Sequence, residues 1–129
     1  MHPNEQRARA GYKAFNEGDM AAVFDLLSDD VVWHSGGNNR MTGDYVGKEA
    51  TFGFFAQLGQ ETAGSFHNDV HDLLANDVHG VALVTAKAAR GDKTLDARVV
   101  HVSHWEDGKM TEFWALPENP SEFDDFWAD

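Results

Sequence analysis

Along the first half of the chain apolar residues return at helical spacing, and along the second half they alternate. Ala8, Tyr12 and Phe15 fall on one helical face, and Ala22, Val23, Leu26 and Leu27 on the next. Gly18 between them suits the left-handed position that ends a helix, and Asp19 suits the cap that starts another, so two helices run end to end. After Ser28-Asp29-Asp30, the run Val31-Val32-Trp33-His34 reads as a short strand. The following SGGNNRMTGDYVG has the glycines and asparagines of an irregular loop. A third helix is predicted from about Lys48 to Thr62, with Phe52, Phe55 and Leu58 on one stripe and Phe54 widening it.

From Ser65 onward the pattern predicts a meander of four strands. Asp107-Gly108 is a strong signal for a type I′ turn, whose two central residues both need positive φ. That turn sets Glu106 opposite Lys109, Trp105 opposite Met110, Ser103 opposite Glu112, His101 opposite Trp114 and Val99 opposite Leu116, all on one side of the sheet. Val100, Val102, His104, Phe113 and Ala115 then lie on the other side. Arg90-Gly91-Asp92-Lys93 forms a second turn, across which Ala82 faces His101, Val84 faces Val99, Ala86 faces Ala97 and Ala88 faces Leu95. On the opposite face Lys87 meets Asp96 and Thr85 meets Arg98, and then Leu83 meets Val100 and Val81 meets Val102. The turn at Asn76-Asp77 leaves its length open. Of the two faces of the preceding strand, Phe66, Val70 and Leu74 are placed inward in preference to His67, Asp69 and His71. A sheet apolar on both sides must be covered twice. The helices cover one face, and the patch of Val81, Leu83, Val100, Val102 and Phe113 calls for a second copy of the chain, a homodimer.

Composition narrows the partners. The chain of 129 residues is 42% hydrophobic, enough for one domain over residues 1–129 with its own core. Its formal charge of −12 disfavours nucleic acid and anionic membranes. With no cysteine, disulfides, thiolate metal sites and cysteine nucleophiles are excluded. No apolar run reaches membrane-spanning length, and MHPNEQRARAGY lacks the hydrophobic stretch of a signal peptide, so a cytoplasmic protein is expected. The glycines at 36, 37 and 43 match no phosphate-binding pattern, and no cofactor is expected.

The phrases YKAFNEGDMAAVFDLLSDDVVWH, GDYVGKEATFGFF, HDLLANDVHGVAL and HVSHWEDGKMTEFWAL, ending in DDFW, span nearly the whole chain. In them the chain resembles the SnoaL-like proteins of the nuclear transport factor 2-like superfamily. The resemblance implies an α+β fold in which a cone-shaped, curved antiparallel sheet wraps around three N-terminal helices and encloses a pocket. It also implies dimers formed through the sheet. The ketosteroid isomerase branch is similar in placing a carboxylate base after the DD pair and a protonated aspartate on the penultimate strand. Those positions fall here at His34 or Ser35 and at His101. Neither carboxylate is present, so that route is not implied, and no acid pair matches the two-aspartate epoxide hydrolase route. The superfamily includes isomerases, cyclases, dehydratases and non-catalytic binders on one scaffold.

A histidine site is what remains. His101 on the inner face is either a core histidine satisfied by one hydrogen bond or a pocket group that meets ligand. Glu112, diagonal to it across the hairpin, would orient the imidazole and raise its pKa into the range of a general acid or base. His34, at the end of its strand before the glycine-rich loop, is a further catalytic candidate, against a plain strand-end histidine. Tyr12, Trp33, Ala82 and Trp114 are expected to contact ligand, Ala82 by leaving room and the indoles as apolar walls, against simple core packing. His67, Asp69 and His71 alternate as metal ligands might be arranged, but a wet strand surface explains the same letters, and no metal is expected. SEFDDFWAD reads as a terminal segment docking through Phe123, Phe126 and Trp127. The expected function is binding of a small apolar or amphipathic molecule; if the protein is an enzyme, the reaction is cofactor-independent acid/base chemistry of the isomerase, cyclase, dehydratase or hydrolase type, with His101 as the proton carrier and Glu112 orienting it. The alternative is a non-catalytic binding or dimerisation module.

Overall fold

The computed structural model describes residues Met1–Asp129. Helix α1 (Pro3–Glu17) ends at Gly18, whose φ of 77° places its N–H on the carbonyls of Ala14 and Phe15. Asp19 accepts from the Ala22 N–H and opens α2 (Met20–Leu26). Strand β1 (Leu27–Ser35) leads to β2 (Gly43–Val46), which pairs antiparallel with it. Four residues of the stretch read as loop are therefore strand. Helix α3 (Lys48–Glu61) follows, with Phe54, Phe55 and Leu58 buried. The meander is β3 (His67–Ala75), β4 (His79–Arg90), β5 (Lys93–Glu106) and β6 (Lys109–Pro117), after which α4 (Pro120–Trp127) forms from the terminal segment.

All six strands join one curved, open sheet in the order β2-β1-β6-β5-β4-β3. Every neighbour pair is antiparallel except β1 with β6, which run parallel, so the expectation of a wholly antiparallel sheet is corrected there. The β4–β5 register is the one the turn residues dictate, with Ala82 opposite His101 and Ala88 opposite Leu95. At the β5–β6 turn Asp107 and Gly108 take φ of 50° and 77°, as a type I′ turn requires. No helix is long and apolar enough to cross a membrane.

Two bulges redistribute side chains between the faces. On β6, Trp105 pairs with Met110 but His104 pairs with Glu112, so Thr111 is an extra residue, and its hydroxyl donates to the His104 carbonyl at 3.3 Å. Beyond it every β6 residue is turned over relative to the register expected from the turn alone. Phe113 and Ala115 face the core, while Glu112, Trp114 and Leu116 face outward. On β3 the extra residue is His71, because Val70 pairs with Val84 but Asp72 with Leu83. Phe66 and Val70 pack inward as expected, but Leu73 takes the inner place expected of Leu74, which is exposed.

Candidate functional site

The concave face of the sheet does not close onto the helices. Between them lies a cavity of about 120 Å³. Its walls are mainly apolar, with aromatic rings from every side: Phe15 from α1, Trp33 from β1, Phe55 from α3, Phe66 before β3, Phe113 from β6 and Trp127 from α4. Trp33 lies flat on Phe113 with ring centroids 3.6 Å apart, and Phe55 meets Trp33 edge-on at 4.8 Å. No Asp, Glu, Lys or Arg lines the space; its polar side chains are those of Tyr12, Ser35, Asn68 and His101.

Tyr12 and His101 form a pair inside the cone. Helical periodicity carries Tyr12 to the inner face of α1, and strand alternation carries His101 to the inner face of β5. There Ala82 on the neighbouring strand leaves it room. The Tyr12 hydroxyl is 2.6 Å from His101 Nδ1, with the two rings nearly parallel. Burial raises the pKa of the Tyr12 hydroxyl, and burial lowers that of His101 from 6.5 to about 3. Both groups are therefore neutral at physiological pH. Two tautomers satisfy the pair. In one, Tyr12 donates to Nδ1 and Nε2–H is left to donate into the cavity. In the other, Nδ1–H donates to Tyr12, whose own hydroxyl proton is then free while Nε2 becomes an acceptor. Nε2 has no protein partner. Either way the pair offers one uncharged donor in an apolar enclosure, where a hydrogen bond is strong and an unmade one costly.

The other residues expected at the site divide between two faces. Trp33 lines the cavity with Tyr12 and His101. Ala82 is buried beside His101 but does not reach the cavity wall. Glu112 and Trp114 do not meet His101 at all, because the bulge at Thr111 puts them on the outer face; the ring that tilts against His101 is Phe113, at 4.6 Å. The expected influence of Glu112 is absent with it, and the His101 pKa moves down instead of up.

Glu112 instead serves His34, which is also on the outer face. The His34 ring lies between two carboxylates, with Nδ1 2.6 Å from Asp44 and Nε2 2.6 Å from Glu112, and stacks on Trp114 at 5.1 Å. Only the imidazolium can donate to both. Partial burial is the largest single influence and pulls the His34 pKa down. The hydrogen bonds and charges of Asp44 and Glu112 together outweigh it, and the net shift is upward. Asp44 comes from β2, the strand hidden in the glycine-rich stretch.

Of His67, Asp69 and His71, the first two stand 3.7 Å apart, and Lys87 holds Asp69 at 3.0 Å, keeping its carboxyl below the usual range. The bulge takes His71 out of their alternation, and no three His, Asp or Glu side chains cluster as a metal ion needs. Sequence reasoning missed Asn68, Phe113 and Ala115 as lining residues, and Phe123 and Trp127 of α4 also reach the cavity. The reading of SEFDDFWAD as a segment docking through Phe123, Phe126 and Trp127 carried the signal of the last two.

The model of the SnoaL-like domain family matches residues 8–113. Among solved structures, Bal32a from a soil-derived mobile gene cassette is 31% identical, with a TM-score of 0.94 over 98% of this chain and 97% of that one. An NTF2-like (nuclear transport factor 2-like) protein of unknown function from Burkholderia pseudomallei K96243 is 20% identical, with a TM-score of 0.88 over 100% of both chains. TerC, co-crystallized with polyporic acid, is 19% identical, with a TM-score of 0.84 over 96% of this chain and 97% of that one.

Proposed function

Since the chain belongs to the SnoaL-like domain family, within the NTF2-like superfamily, we propose that its cone binds a small, uncharged ring compound. A carbonyl or hydroxyl oxygen of that compound sits on the Tyr12–His101 pair. The observation that carries this reading is the pair itself: two neutral polar groups hydrogen-bonded to each other at 2.6 Å, facing a cavity with no charged wall. Cavities of roughly 150 Å³ hold a single aromatic ring, and the space here, about 120 Å³ and only partly enclosed, takes one ring inside with a second extending toward its opening. TerC, with polyporic acid in its crystals, supports a ligand-holding use of the scaffold.

If the ligand reacts, the chemistry is cofactor-independent and of the isomerase, cyclase or dehydratase type. A histidine whose conjugate acid has a pKa of about 3 is a poor base. The pair's contribution is to stabilise negative charge developing on the ligand oxygen, not to abstract a proton from carbon unaided. The test is titration with 2-naphthol followed by tryptophan fluorescence, since Trp33 and Trp127 line the cavity. Binding that weakens at least about tenfold in His101→Phe supports the reading. No binding, or equal binding by the variant, overturns it.

A second reading concerns the outer face. Leu74, Val81, Leu83 and Leu116 are exposed there, and Val81–Val102–Trp114 and Leu83–Val100–Leu116 form apolar rows across β4, β5 and β6. We propose that a second copy of the chain covers these rows. Light scattering at micromolar concentration should give twice the chain mass, and Val102→Lys should give monomer or insoluble protein. A monomeric wild-type chain would contradict it.

A further inference from the structure

Asn68 is 8% exposed, and its side chain lines the cavity with neither amide atom hydrogen-bonded to protein. Its backbone, by contrast, is fully engaged. The Asn16 side chain at the end of α1 donates to the Asn68 carbonyl at 2.7 Å and accepts from its N–H at 2.9 Å, sealing the free edge of β3 at this residue. The fold thus fixes where Asn68 stands without using its carboxamide. The open donors and acceptor of this carboxamide reach an apolar space, where a polar group of whatever enters can complete them.

Asn68 and His101 stand far apart on the same concave face. Asn68, Ala86 and Ala97 share a row across β3, β4 and β5, and His101 lies four residues further along β5. At strand spacing this puts the two backbones about 13 Å apart along the sheet and about 10 Å across it. Curvature and inward-reaching side chains shorten the gap between the polar heads. Phe15 and Phe66 line the same cavity.

We propose that Asn68 is the second polar anchor of the ligand site, and that the ligand is an elongated ring system with an oxygen function at each end. One oxygen is held by the Tyr12–His101 pair and the other by the Asn68 carboxamide. This rests on the cavity-binding reading given above and adds to it the class of ligand and the residue that selects it. Asn16 is a positioning residue, acting on the ligand only through the backbone of Asn68.

Matched probe pairs test it: 2-naphthol with 2,6-dihydroxynaphthalene, and 4-phenylphenol with 4,4′-biphenol, each titrated by tryptophan fluorescence. In the wild-type protein the diol of at least one pair should bind about fivefold more tightly than its mono-ol, as one added hydrogen bond allows. In Asn68→Leu, nearly the same size and shape, that advantage should vanish, the diol binding no more tightly than its mono-ol. The melting temperature of the free variant should hold, because the hydrogen bonds to Asn16 use the backbone of residue 68 and the carboxamide bonds no protein group. Asn68→Ala repeats the readout if the leucine variant does not fold. Mono-ols that bind the wild type without any diol advantage, or an advantage that survives both substitutions, would overturn the inference and leave the cavity reading intact. If no mono-ol binds, or His101→Phe binds them equally, the cavity reading fails first.

Discussion

His101 and His34 both place a ring nitrogen 2.6 Å from an oxygen, yet the inner and outer faces of one sheet make them opposites. His101 faces a tyrosine hydroxyl in an enclosure without charge, so burial decides and the ring is neutral. His34 sits between Asp44 and Glu112 at a wetter surface, where paired charge outweighs burial and shifts the ring toward the imidazolium. A pKa is thus set by which face a strand residue occupies, and on β6 that face is set by one bulge at Thr111. The contrast also separates functions. The neutral pair can meet an uncharged oxygen, whereas the charged triad is spent on joining β1, β2 and β6.

The largest expected effect breaks the comparison at the bulge. Phe113 is buried against Trp33 and His101, so Phe113→Ala should cost about 3–5 kcal/mol in urea unfolding. Glu118→Ala, on the exposed end of the same strand's connection, should cost less than about 1 kcal/mol. A Phe113→Ala loss as small as that of Glu118→Ala would mean that Phe113 is not the core residue beyond the bulge.

Acid titration probes the inner histidine next. Because the folded pKa of His101 is depressed, its contribution is fully present above the ordinary value of 6.5. It is lost as the pH falls toward about 3, with a slope of up to about 1.4 kcal/mol per pH unit. His101→Phe should remove that slope, and an unchanged acid limb in the variant would assign the loss to other groups.

The smallest effect is at the outer histidine. The His34 pKa is raised, so its contribution is fully present below 6.5 and is lost as the pH rises through the folded value. Glu112→Gln should lower the His34 pKa in an NMR titration and cost less than about 1 kcal/mol near pH 6. A His34 pKa that does not move would show that Asp44 alone holds the proton.

How far the letters reach depends on whether a feature is local. Gly18, Asp19, Asp107-Gly108 and Gly91-Asp92 act through their own backbone geometry, and each delivers the cap or turn that its residue types dictate. Counting from the turns also places His101, Ser103 and Trp105 on the inner face. A bulge carries no comparable mark. Thr111 and His71 are ordinary strand residues, and one extra residue inverts everything beyond it, exchanging Phe113 with Trp114 and Leu73 with Leu74. β2 was illegible because four residues between glycines become strand only by pairing with β1. The Tyr12–His101 bond joins residues 89 positions apart and needs the whole cone to exist.

The most direct test of the account is long-range ¹H–¹⁵N NMR of the imidazole nitrogens, recorded from pH 5 to 8 with and without 2-naphthol. His101 is expected to stay neutral across that range and its Nε2 resonance to shift when the naphthol binds, while His34 is doubly protonated at the acid end and does not respond to the ligand. A His101 that titrates near 6.5, or whose Nε2 is indifferent to a naphthol that does bind, would contradict it.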